Sequence, residues 1–100
     1  MKQLHYRLRI PDEIADLIRE MHPHLKKKVR ESLRTILSDP FSGKALKDEL
    51  AGLRSFRVSR FRIIYRIAVK EIHIIAIGPR IRIYEETYRI MRKSKQHGRK

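Results

Sequence analysis

Between residues 50 and 84 the chain alternates apolar residues with arginines, a pattern typical of β-strands that bury one face. This stretch holds seven arginines and one acidic residue, Glu71. A strand normally opposes its apolar face with a mixed polar face, whereas here the polar face is almost entirely guanidinium. Because a guanidinium group presents a planar fork of donors that matches a phosphate group, the pattern predicts a sheet face that binds a polyanion.

The composition favours a single basic domain. One hundred residues with 41% hydrophobic content can bury one core, and a net charge of +14 favours polyanionic partners and fast, electrostatically steered association. The chain has no cysteine, which excludes disulfides, thiolate nucleophiles and cysteine-based zinc sites. The first residues lack the apolar core of a signal peptide, and no apolar run is long enough to cross a membrane. We therefore expect a cytoplasmic protein with no membrane partner. We also predict no metal and no small-molecule cofactor, and the family resemblance described below implies metal-free chemistry.

The first forty residues predict one strand and two helices. Residues 3–10 alternate strictly and read as a strand with one buried face. Pro11 opens a helix that carries an apolar stripe as far as Met21. The apolar side of a second helix spans residues 25–37, and Pro23 separates the two helices. Two amphipathic helices joined by a tight turn should form a hairpin that packs on a sheet.

The remaining residues predict three strands and a last helix. Residues 41–50 are interpreted as a loop with one helical turn at 46–50. The predicted strands are residues 56–59, 61–67 and 72–77, and the predicted helix is residues 84–91. Tyr65 shares a strand face with isoleucines, so we expect it in the core.

The resulting element order is β-α-α-β-β-β-α. It predicts an α+β fold in a single domain, with the helical hairpin packed on one face of a four-stranded, mostly antiparallel sheet. We assign residues 1–91 to the domain and residues 92–100 to a basic, mobile tail. If the strand alternation holds, the other sheet face carries Arg57, Arg62 and Arg66.

Four segments resemble the RelE/ParE toxin superfamily of toxin–antitoxin modules. They are the loop Pro40–Leu46, the runs Leu50–Val58 and Phe61–Ile67, and the turn Ala76–Tyr84. Together these segments contain the patterns Arg-x-x-x-x-Arg-Ile-Ile-Tyr and Gly-x-Arg-x-x-x-Tyr, which are specific in combination. The resemblance extends over roughly residues 3 to 90 and agrees with the predicted order of elements.

The resemblance implies a ribosome-dependent endoribonuclease that cuts mRNA and so inhibits translation. Relatives of this type attack the phosphodiester with the neighbouring 2′-hydroxyl group and use no metal. The positions that match their catalytic residues are Arg57, Arg62, Arg80 and Tyr84. The implied partners are the ribosome, mRNA and a cognate acidic antitoxin, which we expect either to cover the arginine face or to displace the helix at residues 84–91.

The chemistry of these side chains suits charge stabilisation better than proton removal. Preorganised donors stabilise the charge that develops on a phosphorane, so Arg62 and Arg80 are predicted to clamp the phosphate, with Arg57 positioning it. An arginine stays protonated at neutral pH and cannot act as a base. Tyr84 is predicted to be a stacking platform or a proton donor.

Further residues are assigned to RNA binding, while the general base is left open. The predicted RNA-binding residues are Arg54, Arg60, Arg66, Arg82, Lys44 and Lys47. The candidates for the base are Lys44, Lys47, Glu49, His73 and Glu85, and the sequence favours none of them.

Two other functions are compatible with the same fold, because a fold does not determine a function. One is a ParE-type toxin, which inhibits DNA gyrase as a protein ligand and is no nuclease. The other is a catalytically decayed relative that only binds nucleic acid. The arginines together with Tyr84 favour the nuclease.

Overall fold

The computed structural model describes the backbone of residues 5–98 and the side chains of residues 5–93. The strands are β1 (Arg7–Arg9), β2 (Lys44–Ala45), β3 (Arg54–Val58), β4 (Phe61–Ala68) and β5 (Glu71–Pro79), and the helices are α1 (Asp12–Arg19), α2 (Pro23–Ser38) and α3 (Arg80–Gly98). All five strands form one sheet in the order β1-β5-β4-β3-β2. Strand β1 runs parallel to β5, and the other neighbours are antiparallel. The predicted α+β class and mostly antiparallel sheet are confirmed.

The main core lies between the sheet and the α1–α2 hairpin, as the sequence predicts. Helix α1 follows Pro11 and carries acidic residues in its first turn, where the positive end of the helix dipole stabilises their negative charge. Helix α2 begins with Pro23, after His22 has capped the backbone N–H of His24. The buried residues of this core are Ile14, Ile18, Val29, Leu33, Ile36, Val58, Ile63, Tyr65, Ile72, Ile74 and Ile77.

The predicted core position of Tyr65 is confirmed, and its hydroxyl group has a second role. The hydroxyl donates to the backbone oxygen of Pro40 at 2.7 Å and accepts from the backbone nitrogen of Gly43 at 3.0 Å. A β-carbon at position 43 would lie 2.5 Å from that hydroxyl oxygen, which only glycine avoids. Tyr65 thereby fixes the segment that leads into β2 against the core.

Helix α3 partly covers the opposite sheet face, whereas the sequence pattern predicts an open face of arginines. Helix α3 packs there over a second, smaller core made of Leu53, Ile64, Ala76 and Ile83. The reason is the spacing along β4, where Ile64 lies between Arg62 and Arg66 on this face. Burying an isoleucine is favourable, so α3 covers the middle of the strand.

Helix α3 differs most from its prediction of residues 84–91. It begins at Arg80, directly after β5, and its backbone remains helical to Gly98. Residues 92–98, assigned to a mobile tail, therefore continue the helix, while residues 99 and 100 lie outside the described part of the chain. None of the described helices is both long and apolar enough to span a membrane.

The strand count and several element boundaries also differ from the prediction. The predicted loop at residues 41–50 contains β2, which pairs with β3 and raises the strand count from four to five. The helical turn expected at 46–50 is a 3-10 turn at Asp48–Leu50. The first strand covers Arg7–Arg9, and residues 3 and 4 of the prediction fall outside the described residues.

A charged cluster joins β1 to β5 at the end of the sheet. The Glu71 carboxylate accepts from His73 Nε2 at 2.9 Å and lies 3.6 Å from Arg9 and 3.9 Å from Arg7. On its other side, His73 Nδ1 lies 3.1 Å from Arg66. The hydrogen bond from His73, followed by the positive charges of Arg9 and Arg7, lowers the pKa of Glu71 despite partial desolvation.

We expect Glu71→Gln to destabilise the fold in a pH-dependent way. A carboxylate with a lowered pKa in the folded state contributes stability above its ordinary pKa of 4.5, and this contribution is lost as the pH falls through the lowered value. Urea unfolding followed from neutral pH into acid should show a lower midpoint for the variant at neutral pH and a difference that closes in acid. Glu85→Gln, which removes an exposed helical ion pair with Arg89, is the control and should leave both midpoints nearly unchanged. A pH-independent difference for Glu71→Gln would contradict the assignment.

Candidate functional site

The hairpin between β3 and β4 brings two arginines together. Its register places Arg57 directly opposite Arg62, so both side chains project from the face that α3 partly covers. A two-residue turn joins the strands, and within it Ser59 adopts a left-handed backbone conformation with φ of 58°. Like charges placed opposite each other are destabilising, so this pairing is unfavourable unless negative charge lies nearby.

The junction between β5 and α3 adds a third arginine. Gly78 of β5 pairs with Arg62, and two residues later the backbone nitrogen of Arg80 donates to the oxygen of Arg60 at 2.8 Å. Helix α3 starts at this point, which places Tyr84 one turn along the helix. The hydrogen bond from Arg80 to Arg60 thereby attaches the junction between β5 and α3 to the β3–β4 turn.

These segments surround an open cleft of about 780 Å³, which we call the arginine cleft. It is lined by Arg57, Ser59, Arg60, Arg62, Pro79, Arg80, Ile81 and Tyr84. Among the residues that the structure describes, its lining includes four arginines and no carboxylate. Among the described residues, the Nε atom of Arg62 is buried without a hydrogen-bond partner. Buried donors are normally satisfied, so the cleft is suited to an anionic ligand that accepts several hydrogen bonds.

Tyr84 connects the cleft to the interior. Its ring is half-buried and packs against the second core, while its hydroxyl oxygen lies 3.1 Å from the Oγ of Ser55. Ser55 is on β3 and only 2% exposed. The phenol group of Tyr84 is therefore held by a buried polar neighbour.

The structure brings together five of the residues predicted for the site and separates the others. Arg57, Arg60, Arg62, Arg80 and Tyr84 all line the arginine cleft. The residues outside its lining are Arg54, Arg66, Arg82, Lys44 and Lys47. For these five and for Arg60, RNA binding stays a prediction. Catalysis stays a prediction for Arg57, Arg62, Arg80 and Tyr84.

Arg54 illustrates why an arginine on a strand need not face the ligand. Its guanidinium group donates to the backbone oxygen of Gly43 at 2.7 Å and to that of Phe41 at 3.2 Å. It also lies 5.1 Å from the centroid of the Phe41 ring, within the range of a cation–π contact. Arg54 therefore holds the segment before β2.

None of the candidates for the general base lines the arginine cleft. His73 belongs to the Glu71 cluster, and Glu85 forms an exposed ion pair with Arg89. Within the described residues there is also no group of three or more side chains that could hold a metal ion.

Sequence reasoning missed two serines of the site. Ser55 carried a usable signal, because it has the same strand parity as Arg57 and so faces the same side of the sheet. Ser59 has that parity too and falls within the predicted strand 56–59, whereas in the structure it lies in the tight turn between β3 and β4.

Comparison with known proteins identifies the family. Residues 5–84 match the family model described as the ParE toxin of the type II toxin–antitoxin system parDE. No curated protein is similar enough in sequence to count as a relative.

Several solved structures share the fold. A RelBE toxin–antitoxin complex from Mycobacterium tuberculosis is 26% identical, with a TM-score of 0.67 over 76% of this chain and 99% of the other. A mutant of the Escherichia coli toxin RelE in the free state is 17% identical, with a TM-score of 0.70 over 90% and 97%. An archaeal RelE–RelB complex from Pyrococcus horikoshii is 21% identical, with a TM-score of 0.63 over 76% and 96%.

The family match covers most of the chain, and the structural neighbours have the same architecture. The resemblance noted in the sequence is therefore confirmed. The chain belongs to the ParE toxin family of type II toxin–antitoxin systems, within the RelE/ParE superfamily.

Proposed function

We propose that this toxin inhibits translation by cleaving mRNA on the ribosome. The observation that carries the proposal is the arginine cleft, whose lining among the described residues contains four arginines and no acidic residue. Such a set of donors matches the oxygens of a phosphodiester. The RelE structures with the same fold favour the same activity by analogy.

In the proposed reaction the 2′-oxygen of a ribose attacks the adjacent phosphorus. A bond from the 2′-oxygen to phosphorus forms, the bond from phosphorus to the 5′-oxygen breaks, and the products are a 2′,3′-cyclic phosphate and a free 5′-hydroxyl group. Negative charge grows on the phosphoryl oxygens in the transition state. Arg62 and Arg80 stabilise that charge, and by analogy with oxyanion holes each contributes about 3 kcal/mol. Arg57, opposite Arg62, positions the phosphate.

Tyr84 is the proton donor in this scheme. It lines the cleft beside Arg80, and its hydroxyl group can protonate the leaving 5′-oxygen. The arginines remain charged at neutral pH and cannot remove the proton from the 2′-hydroxyl group, so that proton passes to a water molecule in the open cleft as the 2′-oxygen bonds to phosphorus.

A second candidate is inhibition of DNA gyrase through protein binding. The family model favours it, because its description names a ParE toxin. The two candidates differ in what the cleft must do, since only the nuclease needs Arg62 to contact a phosphate.

We expect Arg62→Ala to lower the rate of mRNA cleavage by about 100-fold, which corresponds to the loss of roughly 3 kcal/mol of transition-state stabilisation. The measurement is primer extension on a defined mRNA in a reconstituted translation system. Arg30→Ala is the matched control, because it removes the same charge from an exposed position of α2 on the other side of the sheet. It should cut like wild type.

Two results would contradict this proposal. The first is full cleavage by folded Arg62→Ala. The second is a folded wild-type protein that makes no ribosome-dependent cuts but blocks supercoiling by gyrase, which would establish the second candidate.

We also infer that a cognate antitoxin binds this toxin. Its family is defined by toxin–antitoxin pairs, and two of the similar structures are complexes with RelB. An apolar surface suited to a partner lies along β5 where β1 no longer pairs with it, because β1 reaches only as far as His73. We call it the β5-edge groove.

The β5-edge groove lies between α1 and α3 and is lined by Pro11, Glu13, Ile14, Leu17, Arg66, Ile74, Ile75, Ala76, Ile77, Glu86, Ile90 and Met91. Leu17 is 44% exposed and Ile90 is 43% exposed, although both are large apolar residues. An antitoxin segment with apolar side chains would cover them, and an extended segment could also pair with the unpaired edge of β5.

We expect Ile90→Glu to weaken antitoxin binding at least about tenfold, because a charge would replace a buried apolar contact. Val69→Glu is the matched control, since Val69 is 88% exposed in the turn between β4 and β5 and lies outside the groove lining. Affinity is measured by calorimetry with the antitoxin encoded beside the toxin. Equal affinities for the two variants would mean that the antitoxin binds elsewhere.

A further inference from the structure

We propose that Ser55 is a positioning residue that turns the hydroxyl proton of Tyr84 toward the arginine cleft. This inference rests on the proposed nuclease function, because it concerns the proton that Tyr84 delivers. Ser55 lies within the run Leu50–Val58, but it is not among the positions that the resemblance matches to catalytic residues.

The location of Ser55 fixes where its side chain can act. It lies in β3 opposite Ile64, on the sheet face that α3 covers, and is 2% exposed. Tyr84 approaches from α3, and the two hydroxyl oxygens are 3.1 Å apart. The pair therefore joins the strand that carries Arg57 to the helix that begins at Arg80.

Burial decides which hydroxyl group donates. Buried hydroxyl protons are almost always given to an acceptor. Within the described residues, the hydrogen-bond partner of the Ser55 side chain is the oxygen of Tyr84. If Tyr84 were the donor, the proton of Ser55 would be buried without an acceptor. The half-buried Tyr84 has an alternative, because it also lines the open arginine cleft.

With Ser55 as donor, the hydroxyl group of Tyr84 is polarised for its role. Its oxygen accepts one hydrogen bond from the interior, and its proton is free to point at a phosphate in the cleft. When the bond from phosphorus to the 5′-oxygen breaks, Tyr84 gives that proton to the leaving oxygen. The phenolate that remains keeps the hydrogen bond from Ser55 and regains a proton from water. A charged acceptor strengthens such a hydrogen bond, so the stabilisation is larger after the transfer than before it.

The test is a double-mutant cycle in single-turnover mRNA cleavage on programmed ribosomes, with wild type, Ser55→Ala, Tyr84→Phe and the double variant. Ser55→Ala should slow cleavage about tenfold, the effect of losing one hydrogen bond that strengthens in the transition state. In the Tyr84→Phe background the same change should alter the rate less than about twofold, because the group on which Ser55 acts is already gone. The toxin concentration for half-maximal rate should not change.

A structural role for Ser55 would give a different pattern. It would slow both backgrounds equally and would lower the thermal unfolding midpoint in parallel with the rate. Thr87→Ala is the matched control. Thr87 lies on α3 and is fully buried, as Ser55 nearly is on β3. Its side-chain hydroxyl group donates to the backbone oxygen of Ile83 at 2.7 Å. We expect Thr87→Ala to cut like wild type, and Ser55→Thr to recover the rate lost in Ser55→Ala.

The outcomes separate this inference from the proposed function. Cleavage by wild type with equal effects of Ser55→Ala in both backgrounds overturns the role of Ser55 and leaves the nuclease intact. Wild-type protein that is folded and makes no cuts on the ribosome overturns both. Cleavage with an effect of Ser55→Ala only where Tyr84 is present establishes the role of Ser55.

Discussion

The antiparallel register of β3 and β4 determines the functional surface, because it places Arg57 opposite Arg62 while the residues on either side pack into the main core. Arg57 is exposed and Arg62 is half-buried. Two charges about 4 Å apart repel by about 1 kcal/mol in water and by about 4 kcal/mol near a protein surface. Each large apolar side chain buried on the other face contributes about 1.5–3 kcal/mol, and Val58 and Ile63 are only two of those buried there. Apolar burial therefore exceeds the repulsion, and the fold can hold the two arginines opposite each other.

Helix α3 couples the integrity of the cleft to the second core. Two adjacent residues of the helix contribute to the second core and to the cleft: Ile83 is fully buried in the core, and Tyr84 lines the cleft. The approach of this helix to the sheet is close: a β-carbon at Gly78 would lie 3.0 Å from the Cδ1 of Ile83. A change that lifts α3 would therefore move Arg80 and Tyr84 together. Stability of the second core and geometry of the cleft are not independent quantities in this protein.

Local pattern was sufficient for β1, β3, β4, β5 and the helical hairpin, but it did not predict β2 and was insufficient where a distant contact decides. Alternation alone predicts that Arg57 and Arg62 share a face. It cannot show that Arg54 is held by backbone oxygens eleven and thirteen residues away, at Gly43 and Phe41. The pairing of Ser55 with Tyr84 joins residues 29 positions apart and depends on how α3 packs. The early start of α3 likewise depends on the contact of Arg80 with the β3–β4 turn.

The two candidate targets demand different surfaces, and this chain carries both kinds in separate places. A protein–protein interface has an apolar core depleted of charge, whereas a phosphodiester needs converging charged donors. The arginine cleft has one strongly exposed apolar residue, Ile81, among its four arginines. The β5-edge groove is mostly apolar, and its charged lining residues are Glu13, Arg66 and Glu86. The arginine cleft therefore suits a nucleic acid, and the β5-edge groove suits a protein partner. If gyrase bound at the cleft instead, its surface would have to neutralise four guanidinium groups.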